Sequence, residues 1–235
     1  MLPDSVQRMT NAEARDANGE PVPPCPLCGD RAPSRVLSDR LGDYFQCPRC
    51  ALIYLDPAQR ITTLNEVLRY LEHRNSADDD RYLAFLARLA DPVRVRLSAG
   101  ARGIDFGCGP VSALGDLFTA SGFPTVSYDP LFRPDHGALL HRYHFALCSE
   151  VVEHAHDPRA LFAQLAGLVE PGGLIGVMTR FHGVEAPFAE WWYRRDPTHV
   201  CFYDARTMAW IAGHFGWELE LPVPNVALFH VRRSG

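Results

Sequence analysis

The sequence predicts an α/β protein in which a doubly wound, mostly parallel sheet follows a small cysteine-rich module. Short apolar segments at 102–106, 125–128, 144–148 and 174–178 have the length of buried strands, and apolar residues at helical spacing separate them. This alternation favours a parallel sheet covered by helices on both faces. Two C-x2-C pairs near the N-terminus predict the separate small module.

The composition excludes several kinds of chemistry. The chain has 235 residues, a net charge of −5 and 47% hydrophobic residues, as is typical of globular proteins. It contains no lysine, which excludes Schiff-base chemistry and lysine-dependent phosphate loops. The sequence shows neither an apolar run of membrane-spanning length nor a signal-peptide core, so we expect a cytoplasmic protein with no membrane partner. Its mild acidity argues against broad nucleic-acid binding without excluding it.

The cysteine module is the first element along the chain. Its two pairs are Cys25 with Cys28 and Cys47 with Cys50. Two residues between paired cysteines let one turn aim both sulfurs at the same ion, and two such turns complete a closed tetrahedral set. We therefore expect one structural zinc ion in a ribbon over 22–56, with a role in folding or partner contact.

The ribbon lies between a predicted disordered tail at 1–21 and a predicted helical connector at 57–98. The tail is polar and ends in a proline-rich segment. The connector has helical spacing, and Pro92 is predicted to end it. Its first helix places four apolar side chains on one face: Ile61, Leu64, Leu68 and Leu71. We expect the ribbon and these helices to form one wall of an acceptor pocket.

The remaining residues, 99–235, carry the alternating elements. They are predicted in this order: a strand at 102–106, a helix from Val111 to Gly122, strands at 125–128 and 144–148, a helix capped by Asp157-Pro158, a strand at 174–178, a helix from Asp204 and a hairpin within 217–231.

A ligand site is predicted where the first two of these strands end. Gly107 and Gly109 lie between a strand and a helix, where glycines allow close backbone approach to a ligand. Asp129 ends the next strand, 24 residues past Asp105, and its carboxylate can accept both hydroxyls of a ribose. Together these features predict a nucleoside cofactor. The alternative is that Asp129 only caps the turn before Pro130.

Four motifs in order resemble those of class I S-adenosylmethionine-dependent methyltransferases. They are Asp-Phe-Gly-Cys-Gly (105–109), Tyr-Asp-Pro (128–130), Ser-Glu-Val-Val-Glu-His (149–154) and Glu-Pro-Gly-Gly (170–173). The resemblance covers about 100–235 and is nearest to a bacterial subgroup with an N-terminal zinc ribbon. It implies a Rossmann-like fold and S-adenosylmethionine as cofactor. By resemblance, Asp105, Gly107 and Gly109 line the methionine end, Asp129 holds the ribose, and Ser149 and Glu150 lie beside the cofactor.

The chain departs from the family pattern in two places. Val111 stands where the family has a third glycine, which relaxes the close approach there. About thirteen residues separate Asp129 from the strand near Tyr143, where the family fits a helix, a strand and a further helix. The resemblance therefore implies a fold abbreviated after the second strand, with a shortened adenine pocket.

A group of acidic and histidine side chains follows the third strand of the sheet. In a helix, Glu150, Glu153 and His154 would share one face, and two carboxylates with an imidazole suit a divalent ion. The pattern is similar to magnesium or manganese sites of ubiquinone-pathway and small-RNA methyltransferases, in which His199 would be the fourth ligand. Two alternatives stay open, namely a metal-free base at His154 or His199, and a purely structural role.

The leading hypothesis is transfer of a methyl group to an oxygen of a hydroxylated small molecule such as a sugar or catechol, in preference to carbon or nitrogen. His154, His199 and Glu150 are the predicted catalytic residues. The alternatives are an RNA methyltransferase and a catalytically idle protein that binds cofactor or a partner. Trp191-Trp-Tyr-Arg-Arg195 is interpreted either as a base-stacking and phosphate-holding element or as a packed lid. The sequence predicts neither the acceptor's identity nor the oligomeric state.

Overall fold

The computed structural model describes residues 19, 21–72 and 79–233. Nearly all of the predicted disordered tail, 1–21, therefore lies outside the described residues. The strands are β1 (Ser34–Asp39), β2 (Gly42–Gln46), β3 (Ile53–Leu55), β4 (Gly103–Phe106), β5 (Thr125–Tyr128), β6 (Tyr143–Ser149), β7 (Val169–Met178), β8 (Cys201–Phe202), β9 (Glu218–Glu220) and β10 (Val226–His230). The α-helices are α1 (Thr63–Glu72), α2 (Asp80–Arg94), α3 (Ala113–Ala120), α4 (Pro158–Leu168) and α5 (Ala205–Phe215).

The main sheet has six strands in the order β5-β4-β6-β7-β10-β9. The first four are parallel to one another, and the C-terminal hairpin adds β10 antiparallel to β7 and then β9 antiparallel to β10. β4 is buried along its whole length, because α2 and α3 lie on one side of the sheet and α4 on the other. The predicted fold class, a mostly parallel Rossmann-like sheet, is confirmed.

The abbreviation after the second strand is visible at the edge of this sheet. Between Asp129 and Tyr143 the chain forms only a short 3-10 helix at His136–Leu140, so β5 is the edge strand in the part of the chain that the structure describes. The carboxyl ends of β4, β5 and β6 therefore meet at one side of the sheet without a further strand beyond them.

The ribbon forms a second, antiparallel sheet in the order β1-β2-β3-β8. Its fourth strand comes from the far end of the chain, since Ile53 pairs with Phe202 and Tyr54 with Cys201. The side chains of β3 are buried. The residues predicted as a separate module at 22–56 thus share a sheet with the segment that follows His199.

The connector differs from the prediction at the end of its second helix. α2 runs past Pro92 to Arg94, so the prediction that Pro92 ends the helix was wrong by two residues. The leucine face of α1 points toward solvent. The exposed fractions of Leu64, Leu68 and Leu71 are 69%, 53% and 60%. None of the helices in the described ranges is long and apolar enough to span a membrane.

Candidate active site

The glycine turn between β4 and α3 is held against the end of β5. Gly107 and Cys108 donate backbone hydrogen bonds to the Tyr128 carbonyl at 2.8 and 3.1 Å. Gly107 has a φ of +77°, and a Cβ atom there would lie 2.5 Å from Val151 Cγ2, so this position requires glycine. Gly109 has a φ of +65° but faces open space. The turn therefore presents its backbone closely to whatever occupies the space above the sheet.

Asp105 lies beneath this turn and is only 3% exposed. Its Oδ2 accepts a hydrogen bond from the Gly115 amide at 3.0 Å, which ties β4 to the start of α3. Burial raises the pKa of Asp105 to about 7. A cation placed beside it would favour the ionised carboxylate.

Asp129 connects the two strand ends. Its Oδ1 accepts hydrogen bonds from the amides of Leu131 and Phe132 at 2.8 and 3.0 Å, and its Oδ2 accepts one from Gly109 at 3.0 Å. The carboxylate therefore does cap the turn that follows it. Because each carboxylate oxygen can accept two hydrogen bonds, Oδ2 keeps one acceptor position for a ligand.

A cavity of about 1180 Å³ lies above this end of the sheet. All six predicted cofactor residues line it: Asp105, Gly107, Gly109, Asp129, Ser149 and Glu150. Three aromatic side chains that were not predicted to belong to the site also line the cavity: Tyr82 and Phe85 of α2, and Phe132. The cavity continues past the glycine turn to His154 and His199, so cofactor-type and acceptor-type residues share one space.

The turn after β6 is not the helix that the spacing suggested. Glu150 has a left-handed φ of +52°, and only Val152–His154 form a short 3-10 helix. Glu150 therefore does not share a helical face with Glu153 and His154. The expectation failed because i, i+3 and i+4 spacing brings side chains together only where the backbone is helical from the first of them.

Tyr193 connects the two glutamates instead. Its hydroxyl lies 2.5 Å from Glu153 Oε1 and 3.1 Å from Glu150 Oε2. A tyrosine has one hydrogen to donate, so the second contact is satisfied when Glu150 carries a proton. This agrees with the pKa of Glu150, which burial and then the charge of Glu153 raise to about 8. The Oε1 atom of Glu150 is buried without a hydrogen-bond partner.

The rings of His154 and His199 pack edge-on against each other at the wall of the cavity, with ring centroids 4.8 Å apart. The Nδ1 atom of His154 donates to the Thr198 carbonyl at 3.1 Å, and that of His199 donates to the Tyr193 carbonyl at 2.7 Å. Carbonyls only accept, so both Nε2 atoms are free to act as bases or ligands when the rings are neutral. Burial, followed by the neighbouring His154, lowers the pKa of His199 to about 4.

Three of the four predicted metal ligands converge. One ligand atom from each of Glu153, His154 and His199 lies within 4.8 Å of the other two, whereas Glu150 is outside this group. Glu153 is fully buried, and its Oε2 has no hydrogen-bond partner. Two imidazoles with one carboxylate suit a borderline divalent ion, such as zinc, iron or cobalt, more closely than magnesium.

α1 covers the acceptor side of the cavity through its polar face. Glu66 lies 2.7 Å from His156, and Arg69 forms an ion pair with Asp196 at 3.0 Å. Tyr70 packs edge-on against His154, with ring centroids 5.2 Å apart. None of these residues was predicted to belong to the site, because the apolar pattern of α1 draws attention to its leucine face. Their own i, i+3, i+4 spacing on the opposite face was the available signal.

The ribbon lies behind the cavity wall rather than in it. Trp192, Tyr193 and Arg195 line the cavity, but among the described lining residues none lies within 22–56. The expectation that the ribbon and the connector helices together form the pocket wall is thus met by the helices alone. Within the segment 191–195, Arg194 points away from the cavity toward the ribbon, where it forms an ion pair with Asp39.

The four ribbon cysteines form a compact buried cluster. Cys25 Sγ lies 3.5 Å from Cys50 Sγ, and Cys28 Sγ lies 3.4 Å from Cys47 Sγ. Sulfurs on a tetrahedral zinc ion with bonds of about 2.3 Å are about 3.8 Å apart, so the set fits such an ion. The hydrogen bond with Cys25 lowers the pKa of Cys47, whereas hydrogen bonds within the same cluster raise the pKa of Cys25 and that of Cys50.

Comparison with known proteins agrees with this architecture. The chain resembles the structure of the N-methyltransferase NodS from Bradyrhizobium japonicum with S-adenosyl-L-homocysteine, at 13% identity over 71% of this chain and 97% of that one, with a TM-score of 0.50. It also resembles the 1,6-didemethyltoxoflavin-N1-methyltransferase of Burkholderia thailandensis, at 13% identity over 85% and 99% of the two chains, with a TM-score of 0.50. At this identity the likeness establishes the fold alone.

No curated protein matches the chain in sequence. A family profile described as a methyltransferase domain, however, matches residues 70–221, which is more than half of the chain. The matched range contains the glycine turn, Asp129, the two glutamates and both histidines. The chain therefore belongs to the methyltransferase-domain family and is an S-adenosylmethionine-dependent methyltransferase.

Proposed function

We propose that this enzyme transfers the methyl group of S-adenosylmethionine to a hydroxyl oxygen of a small molecule. In this reaction the sulfur–methyl bond breaks, an oxygen–methyl bond forms, S-adenosylhomocysteine leaves, and the hydroxyl proton passes to Nε2 of His199 or His154. The observation that carries the proposal is the pair of imidazoles, His154 and His199. Each contacts a backbone carbonyl through Nδ1, and both line the cavity that also contains the glycine turn.

The proposed cofactor site follows from charge as well as shape. S-adenosylmethionine carries a sulfonium and an ammonium group, and two carboxyls line the cavity on the glycine side, the buried Asp105 and the half-buried Glu150. The free acceptor position on Asp129 Oδ2 suits a ribose hydroxyl. We therefore assign the methionine end to the glycine turn and the ribose to Asp129.

A pKa of about 4 keeps His199 neutral at neutral pH but also makes it a weak base. A neutral imidazole held in one tautomer can accept a proton at once, and its low basicity is offset because the methyl donor is already activated. Much of the rate enhancement would come from placing the oxygen in line with the sulfur–methyl bond. Tyr70 and Trp192 line the space where a ring or sugar would lie.

The test uses a panel of catechol, phenol and simple sugars, with the methylated product detected by mass spectrometry. His199→Asn keeps a donor at the Nδ1 position but lacks Nε2, so turnover should fall about 100-fold or more while S-adenosylhomocysteine affinity is retained. His214→Asn is the matched control, because His214 is exposed on α5 and lies outside the cavity lining. Full turnover by the His199→Asn enzyme would exclude the proposed base.

A second candidate mechanism rests on the convergence of Glu153, His154 and His199. These three groups would hold a divalent ion, and such an ion would lower the pKa of a bound hydroxyl. Both histidines already donate Nδ1–H to carbonyls, which is the usual outer-shell arrangement of metal-binding histidines. The set differs from the predicted one, since Glu150 is not part of it.

Metal counting separates the two mechanisms. With the ribbon site filled, a metal-assisted enzyme should contain about two ions per chain, and Glu153→Gln should reduce this to one. A metal-free base predicts one ion in both proteins and turnover that resists a chelator. Equal counts in the natural and Glu153→Gln proteins would remove the metal from the mechanism.

We also propose that Cys25, Cys28, Cys47 and Cys50 hold a structural zinc ion, which would place the chain in the subgroup with an N-terminal ribbon. The support is the short distance between their buried sulfurs. Elemental analysis should find zinc at this site, and its absence from protein purified without chelators would contradict the proposal.

A further inference from the structure

We propose that the ribbon positions His199 for catalysis, acting through the backbone of Val200 and the side chain of Arg194. The inference rests on the function proposed above, in which His199 receives the acceptor proton. It assigns to the ribbon a role beyond its own folding, although no ribbon residue described in the structure lines the cavity.

The first connection runs through the backbone on the C-terminal side of His199. The Leu55 amide, at the end of β3, donates to the Val200 carbonyl at 3.0 Å. The Val200 amide donates in turn to the Glu153 carbonyl at 2.8 Å. The backbone of one residue, Val200, therefore ties the ribbon sheet to the turn that carries Glu153 and His154, and His199 immediately precedes it.

The second connection runs through Arg194 on the N-terminal side. Arg194 is 3% exposed and forms an ion pair with Asp39 at the end of β1. Its guanidinium also lies over the ring of Tyr44 in β2, 4.8 Å from the centroid. A buried arginine with these partners fixes its own backbone, because moving it would leave the buried guanidinium without its charge partner.

Both connections meet at the hydrogen bond that sets the His199 tautomer. The Tyr193 carbonyl accepts from His199 Nδ1 at 2.7 Å, and Tyr193 directly precedes Arg194. If the backbone at Tyr193 and Arg194 shifts, the Tyr193 carbonyl moves away from His199 Nδ1 and the ring proton can pass to Nε2. A histidine with Nε2 protonated cannot take the acceptor proton. The ribbon thus keeps Nε2 available.

The predicted consequence is specific to one acidic residue of the ribbon. Asp39 and Asp43 both belong to the β1–β2 hairpin, and both form an ion pair with an arginine. Asp39 pairs with Arg194 in the segment 191–195, whereas Asp43 pairs with Arg35 within the hairpin. Asp39→Asn and Asp43→Asn are therefore matched variants of which only the first breaks the connection.

The experiment records the histidine ring nitrogens by ¹H–¹⁵N NMR spectroscopy at neutral pH, with S-adenosylhomocysteine bound. In the natural protein and in Asp43→Asn, His199 should carry its proton on Nδ1. In Asp39→Asn, the His199 signals should broaden or show a second tautomer, and turnover should fall about tenfold or more. S-adenosylhomocysteine affinity, measured by calorimetry, should stay within about twofold, because Asp39 does not line the cavity. Asp39→Glu, which keeps the charge, should restore the natural spectrum.

Identical His199 signals in the natural protein and in Asp39→Asn would overturn the inference, even if the enzyme methylates its acceptor by the proposed route. Altered signals in both hairpin variants would also overturn it, because a general loosening of the ribbon would then be responsible. Failure of the proposed function looks different. In that case His199→Asn keeps full turnover, while the tautomer measurement on Asp39→Asn still gives its own result.

Discussion

Replacement of Asp105 by asparagine should remove a pH-dependent cost to the folded state. Burial raises the pKa of Asp105 from 3.8 to about 7. Between these values the folded protein keeps a proton that the unfolded chain has lost, so the free energy of unfolding falls as pH rises. At about 1.4 kcal/mol per pH unit, the interval corresponds to about 4 kcal/mol. The cost is complete above about pH 7 and absent below about pH 4.

Urea unfolding of the cofactor-free protein at a series of pH values measures this effect. The asparagine variant can still accept the hydrogen bond from the Gly115 amide, so its curve should differ mainly by the missing titration. Its stability should gain on that of the natural protein by up to about 4 kcal/mol between about pH 4 and 7. Asp116→Asn, at an exposed neighbouring position, should shift the pH profile only slightly, because burial and not the Asp116 charge is the main cause of the raised Asp105 pKa. Parallel profiles for natural and Asp105→Asn protein would refute the reasoning.

The same carboxyl links protonation to the proposed cofactor site. A cationic ligand beside Asp105 favours its ionised form, so S-adenosylmethionine affinity should rise with pH through about 7 in the natural protein. The asparagine variant should bind more weakly and lack this rise. Calorimetry in buffers of different ionisation enthalpy would detect the proton released on binding. The same proton release from both proteins would contradict the assignment.

Three further outcomes follow from the site geometry. Asp129→Asn should weaken S-adenosylhomocysteine binding about tenfold in calorimetry, since the amide offers one acceptor oxygen instead of two; unchanged affinity would remove the ribose assignment. Gly107→Ala should cost about 1–3 kcal/mol in urea unfolding, because its Cβ meets Val151 at 2.5 Å, whereas Gly109→Ala should cost less since nothing lies within 4 Å. Cys28→Ser should remove the ribbon zinc and lower Tm, and a full zinc content in that variant would contradict the four-cysteine site.

The sequence predicted the features that depend on local pattern. β4, the glycine turn at 107–109 and the Asp157-Pro158 cap are set by nearby residues, and each was found close to where it was expected. β7 differs, because it begins at Val169 and not at the predicted 174. The edge position of β5 was also predictable, because the segment to Tyr143 is too short for the missing elements. The pairing of β8 with the ribbon was not predictable in this way, since a two-residue strand has no periodicity.

The site was predictable in its membership more than in its geometry. The motifs identified Glu150, Glu153, His154 and His199, but a single left-handed residue at Glu150 separates it from the other three. The role of the polar face of α1 was not predicted. Burying leucines is the favourable arrangement for a helix on a core, yet here the polar face of α1 lies over a cavity and forms the ion pairs.

The pairing of β3 with β8 also constrains the order in which the protein can fold. Tyr54 and Cys201 are 147 positions apart, so during synthesis β3 must remain an unpaired strand edge until most of the methyltransferase domain has been made. Closing so long a loop early would be entropically unfavourable, which makes formation of the main sheet the natural step before completion of the ribbon. The ribbon is thus translated before the strands of the main sheet, but its own sheet is completed after them.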